Sequence, residues 1–290
     1  MNILKKEILK FLLKKMQKQY SDKDYSTEIK TLNWIIKINP IASNYSLRGD
    51  IYGLISDYKK AIEDKSTAIS IDPTNQELYS SRAFLYSKQT EYDLAISDYS
   101  KAIELKPNDD GLFLFRAQSY HDKGEIEKAI EGYNKTLEIN PNEIEAYVGK
   151  GICFGQLGKY EQAIETYNAG LIVDSSATEL YVNLGIAKGF QEKYDESLGL
   201  FEKAIEKDNM NYYAYYNRAV TLIETKRFNE ALSDLNKTID LAPDYSDGYK
   251  WRGHAYFELN MKEKALIDYE KAFELGDIEV QEYIDKTRKE

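Results

Sequence analysis

The chain has 290 residues, 30% of them charged, and carries a net charge of −10. That balance argues against the clustered Lys and Arg surface a nucleic-acid binder needs, so an RNA-binding helical repeat is disfavoured. A single cysteine, Cys153, excludes an internal disulfide framework, and His121 and His254 stand far apart without metal-ligand spacing, so no metal or cofactor is expected.

Residues 1–41 read as a degenerate opening unit. Over Ile3–Lys18, six lysines accompany an apolar stripe of Leu4, Ile8, Leu12 and Met16. One reading is a basic amphipathic helix that touches an acidic membrane or partner. The other, favoured because the rest of the unit already needs the stripe, is a solvated first helix that caps a stack. Membrane contact is expected only through residues 1–20. The longest apolar run, Phe11–Leu13, is too short for a secretory signal, and no segment reaches a transmembrane length, so the expected location is cytoplasmic. Tyr25, Ile29, Leu32, Ile35, Ile36, Ile38 and Pro40 then match the second half of a repeat unit, one residue out of phase.

From 42 to 277 the chain repeats every 34 residues, seven times. Pro73, Pro107, Pro141, Ser175, Asn209, Pro243 and Asp277 mark the period. Twelve residues before each stands Ala61, Ala95, Ala129, Ala163, Ser197, Ala231 or Ala265; 28 before stands Tyr or Phe, and 24 before stands Gly or Ala. Such a period means a stacked array in which each unit buries its neighbour's apolar face. Within one copy, Tyr147, Gly151 and Phe154 lie on one helical stripe, Gly158 breaks the run, and Tyr160, Ala163, Ile164, Tyr167 and Leu171 form a second stripe. Each unit is therefore two short helices with a tight turn, near Asp57, Glu91, Glu125, Lys159, Lys193, Arg227 and Met261. Gly151 and Ala163 let two axes approach while aromatics fill the space beside them.

The set Tyr79, Ala83, Tyr86, Tyr92, Ala95, Tyr99, Ala102 and Pro107 resembles the tetratricopeptide repeat (TPR) family. The resemblance covers roughly residues 42–277. It implies an all-α fold, a right-handed superhelical solenoid of antiparallel helix pairs whose first helices line a concave groove that holds extended peptides. Lys65 departs from the pattern, standing where other copies have Tyr or Phe, and Lys188, Gly170, Thr136 and Thr238 depart at other columns.

One charged pattern emerges when the copies are compared. Arg48, Arg82, Arg218 and Arg252 recur with Asp64, Asp98, Asp234 and Asp268, sixteen residues on; Leu184 recurs with Leu200, while Arg116/Gly132 and Lys150/Thr166 break the rule. The expectation is a bridge within each unit, swapped once for an apolar contact. A partner-binding role for the arginines is the competing reading, and it would not require the Asp to track the Arg.

No glycine-rich phosphate loop and no Gly-x-Ser-x-Gly elbow occur, and the carboxylates scatter along helix surfaces, so no catalytic residue is expected. The groove side of the later units is unusually apolar, with Val148, Ile152, Val182, Ile186, Phe190, Tyr213, Tyr216, Val220, Ile223, Trp251 and Phe257. Asn183 and Asn217, one repeat apart, match two rungs of the asparagine ladder of one TPR subtype; the basic clamp of another subtype is not matched. The expected peptide-binding residues are Asn183, Asn217, Tyr213, Tyr216, Trp251, Phe190, Ile186 and Val220. The expected function is a non-catalytic protein- or peptide-binding scaffold or adaptor. The alternative is a regulatory subunit docking on an enzyme or membrane through the basic N-terminal helix. Residues 278–290, with Tyr283 in register and many charges, read as a polar cap.

Overall fold

The structure, a computed structural model, describes residues 24–289. The basic helix expected over Ile3–Lys18 lies outside them. The described residues form sixteen α-helices and no strand. Two compact units divide the chain, Met1–Pro141 and Asn142–Glu290. The first holds α1 (Tyr25–Ile38) and the pairs α2 (Ala42–Leu54) with α3 (Tyr58–Ile71), α4 (Gln76–Lys88) with α5 (Tyr92–Leu105), and α6 (Asp110–Asp122) with α7 (Ile126–Ile139). The second holds α8 (Ile144–Gln156) with α9 (Tyr160–Val173), α10 (Thr178–Phe190) with α11 (Tyr194–Lys207), α12 (Tyr212–Glu224) with α13 (Phe228–Leu241), and α14 (Ser246–Glu258) with α15 (Lys262–Glu274). A 3₁₀ turn (Ile278–Val280) and α16 (Gln281–Lys289) follow.

The seven turn residues expected from the sequence are the N-caps of the seven second helices. Each turn is a Schellman motif. In the second repeat Glu91 N–H donates to the Tyr86 carbonyl and Thr90 N–H to that of Ser87, both at 3.0 Å, and the same two bonds recur in every copy. The motif forces the residue before the N-cap into the left-handed region. Gly124 and Gly158 occupy it without cost, but Ser56, Thr90, Glu192, Lys226 and Asn260 sit there too, at φ near 60°.

Close packing rests on small residues. Ala61, Ala95, Ala129, Ala163, Ser197, Ala231 and Ala265 are all fully buried. A Cβ on Gly151 would lie 2.2 Å from the Tyr167 ring, and one on Gly185 2.7 Å from Phe201. Gly155, one turn on from Gly151, and Gly199 would meet nothing within 4 Å. Gly151→Ala is therefore expected to lower stability by about 1–3 kcal/mol through overpacking. Gly155→Ala and Gly199→Ala, by the same chemistry in open space, should each raise it by up to about 1 kcal/mol. Urea midpoints of the three variants test this; equal signs for Gly151 and Gly155 would refute it.

Lys65, where other copies place a ring, is 2% exposed. Its ammonium donates to Ser46 Oγ at 2.8 Å and pairs with Asp50 at 2.5 Å. The departure from the repeat pattern is thus a buried ammonium stem that replaces the ring above Gly49 and pairs with a half-exposed carboxylate. Lys65→Tyr should leave stability unchanged or raise it by up to about 2 kcal/mol, since a packed ring avoids desolvating the ammonium and the half-exposed Asp50 keeps its water. A large drop in the thermal midpoint would mean that Lys65 cannot be exchanged for the common residue.

The Arg–Asp expectation holds in all four copies. Arg48, Arg82, Arg218 and Arg252 each donate Nε and Nη2 to both oxygens of Asp64, Asp98, Asp234 and Asp268, at 2.6–2.8 Å. The four aspartates are buried, and their hydrogen bonds raise the arginines above their ordinary values. Three of these arginines also reach back with Nη1 to the preceding second helix or to α1: Arg82 to Ser66 Oγ, Arg252 to Asn236 Oδ1 and Arg48 to Asn33 Oδ1. Asn33 is fifteen rather than sixteen residues back, the one-residue offset seen in the sequence of α1. Each such arginine therefore ties three helices.

The exceptions have physical reasons. Leu184 is buried in an apolar cluster against which Leu200 packs. Opposite Arg116, a Cβ on Gly132 would sit 2.7 Å from that of Ala117, so no Asp fits; Arg116 donates to Ser100 Oγ at 3.1 Å and its Nε has no partner. Opposite Lys150, Thr166 donates back to the Gln162 carbonyl, and burial pushes the Lys150 ammonium down. At the C-terminal end the buried residues are Val280, Ile284 and Thr287, whereas the in-register Tyr283 is 44% exposed and stacks on Tyr269 at 5.5 Å.

Candidate functional site

In the second unit the first helices touch in succession, α8 to α10, α10 to α12 and α12 to α14. This succession corrects part of the expected groove. Val148, Val182 and Ile223 do not face solvent; they are 6%, 2% and 6% exposed. Val148 packs with Leu180 and Leu184, Val182 with Ala214, and Ile223 with Ala255, each on the next first helix. A residue one step from the packing stripe faces both groove and neighbour, and these three are covered by the neighbour.

The eight expected binding residues are all at least partly exposed. The structure distributes them. Ile186, Phe190, Asn217 and Val220 line one pocket of about 380 Å³ between α10 and α12, floored by the buried Phe201 of α11. Phe190 forms its lip, 65% exposed and stacked on Tyr160 at 5.2 Å with the rings nearly parallel. Tyr213 and Tyr216 belong to a second group. Their rings stack at 6.0 Å, and Tyr245 meets Tyr216 and Tyr212 edge-on at 5.2 Å each. Trp251 belongs to a third, a pocket of about 580 Å³ with Lys250, His254, Tyr269, Glu279 and Tyr283.

Burial pushes the Tyr216 phenol up to about 12 and raises Tyr245 as well. Both are neutral hydroxyls at neutral pH and can donate as well as accept. Asn183 and Asn217 each donate an amide hydrogen to the carbonyl four residues back, Glu179 at 2.9 Å and Tyr213 at 2.7 Å. One amide hydrogen and the Oδ1 acceptor of each remain for a ligand. Asn183 lies outside the pocket that Asn217 lines.

Sequence reasoning missed Tyr212, Tyr245, Tyr194 and Phe201. Tyr212 begins α12 and Tyr245 caps α14, so neither lies on the first-helix stripe. Phe201 comes from a second helix, and only the interhelix geometry opens its edge to the pocket.

A tetratricopeptide repeat family model matches residues 42–75, 76–109, 144–174 and 247–275. Two related models, a TPR repeat and a tetratricopeptide repeat, match 117–158 and 182–246. No curated protein matches the chain significantly in sequence. In structure it is similar to a tetratricopeptide repeat protein from Parabacteroides merdae, with 23% identity, 85% of this chain and 98% of that chain covered, and a TM-score of 0.71. It is also similar to a chain of the APC/C hetero-tetramer Cut9–Hcn1, with 15% identity, a TM-score of 0.67, and 95% of this chain against 55% of that one. At these identities the likeness is one of fold. With such repeats matched along most of its length, the chain belongs to the tetratricopeptide repeat family.

Proposed function

We propose that the chain is a non-catalytic protein-binding scaffold or adaptor, and that the first-helix face of its second unit holds an extended, partly apolar segment of a partner protein. The observation that carries this reading is the concentration of half-exposed apolar and aromatic side chains on one face. Ile186, Phe190 and Val220 surround a pocket, and Tyr212, Tyr213, Tyr216 and Tyr245 form an adjoining aromatic group. Large aromatics supply most of the energy at protein interfaces, and tyrosine does so with a polar tip that tolerates water when the site is empty. The spare amide groups of Asn183 and Asn217 suit a peptide backbone, which presents N–H and C=O groups at regular intervals.

Photo-crosslinking tests the reading. A benzophenone amino acid replaces Tyr213 in one variant and Ile172, 87% exposed on the second helix α9, in another. Protein adducts from cell extract are expected at 213 and not at 172. The double variant Asn183→Ala/Asn217→Ala should weaken capture of the same protein about tenfold with an unchanged thermal midpoint. Adducts at 172 alone, or full capture by the double variant together with Tyr216→Ala, would remove this face as the binding site.

A further inference from the structure

The pocket between α10 and α12 carries a charge asymmetry that narrows the chemistry of its occupant. Its floor and walls are Phe201, Ile186, Val220 and Phe190, and its two ionisable acids are Glu192, at the end of the α10 turn, and Glu224, at the end of α12. Among the described residues, no Lys or Arg lines it and no ion pair engages either carboxylate. Lys193 and Lys226 stand one and two residues from these acids in sequence, but neither lines the pocket, and Lys188 is committed to Glu196 at 2.6 Å.

The first unit offers an internal comparison. A pocket of about 410 Å³ there shares three repeat positions with it, Phe84 standing three repeats before Ile186, Tyr99 before Phe201 and Phe115 before Asn217, but its acids come from other positions of the repeat. Its acids are Asp50 and Asp109. Both are neutralised: Asp50 by Lys65 at 2.5 Å and Asp109 by Lys106 at 2.9 Å. A lysine, Lys88, also stands over the Phe84 ring at 5.1 Å. Of these two pockets, one therefore has its acids compensated from within and the other has two carboxylates open beside an apolar cavity.

We infer that the α10–α12 pocket takes a bulky aliphatic or aromatic side chain from a partner segment that carries Lys or Arg immediately beside that anchor. The anchor fills the cavity over Phe201, the cation pairs with Glu192 or Glu224, and Asn217 Oδ1 accepts a backbone N–H. Arginine suits the carboxylates better than lysine because its planar fork can engage both oxygens. An acidic segment is repelled, which gives selectivity as well as affinity. This inference rests on the peptide-binding reading of the same face.

The test pans a random-peptide phage library against the full chain. The most enriched peptides are then made synthetically and titrated by fluorescence anisotropy against wild type, Glu192→Gln/Glu224→Gln and Phe190→Ala. All three substitutions are at exposed side chains, so the fold is expected to persist, checked by the thermal midpoint. The expected result is enrichment of peptides with a bulky apolar residue next to Lys or Arg. Their affinity should fall about tenfold in each variant, and weaken between about 50 and 300 mM salt for wild type but not for the double Gln variant. Enriched peptides that depend on Phe190 but not on the two glutamates, or that lack basic residues, overturn the cationic partner and leave the peptide-binding face standing. Peptides unaffected by any of the variants, or no enrichment at all, overturn both.

Discussion

Asp98→Ala is expected to lower the stability of the chain by about 3–5 kcal/mol, because it strands the Arg82 guanidinium in a site built for a carboxylate. Arg82 is 19% exposed at its side chain and Asp98 9%, so little water reaches the pair. The single substitution removes two hydrogen bonds at 2.7 and 2.8 Å, leaving only the Ser66 contact. The double replacement Arg82→Leu/Asp98→Leu should recover most of that loss, since the fifth repeat already places Leu184 and Leu200 at these positions within one apolar cluster. Urea unfolding of the two singles and the double closes a mutant cycle. Additive losses, with no recovery in the double, would mean that the pair is not a coupled unit.

A second large effect lies in the turns. Ser56, Thr90, Glu192 and Lys226 all adopt φ near 60°, where an L side chain crowds its own backbone. Thr90 is the most strained, being β-branched. Each substitution by Gly relieves that crowding but gives the unfolded chain more freedom, for a net gain of about 0.5–1 kcal/mol. The four together are expected to raise stability by about 2–4 kcal/mol, because the turns are far apart and share no partner. Asn260→Gly should gain less, as Asn tolerates this conformation, and Gly158→Ala should lose about 1 kcal/mol. Thermal midpoints that stay level or fall in the combined variant would show that the left-handed residues carry no strain worth relieving.

Much of this was legible in the sequence because seven copies act as their own comparison. The 34-residue period located the helix pairs and their turns, and the tracking of Asp with Arg between copies named the ion pairs. What stayed hidden was whatever the copies do not share. The third contact of the arginines goes to Asn33, Ser66 or Asn236, so no column betrays it. The strained turn position holds Ser, Thr, Gly, Gly, Glu, Lys and Asn in succession, and composition there conceals a fixed conformation. Val148, Val182 and Ile223 were assigned to the groove because spacing gives the direction of a side chain but not the distance to the next helix. Lys65 looked like a defect in one unit and is instead a buried cation with its own partners.

Cys153, on α8, is fully buried, and burial pushes its thiol up to about 12. The reactive species toward alkylating reagents is the thiolate, so the folded protein is closed to them both sterically and chemically. As the chain holds no other cysteine, a slow covalent label can enter only through transient opening around the fourth repeat. The native protein thus contains its own stopwatch: the rate of a single mass increment reports the free energy of local opening at one known point, without an introduced probe.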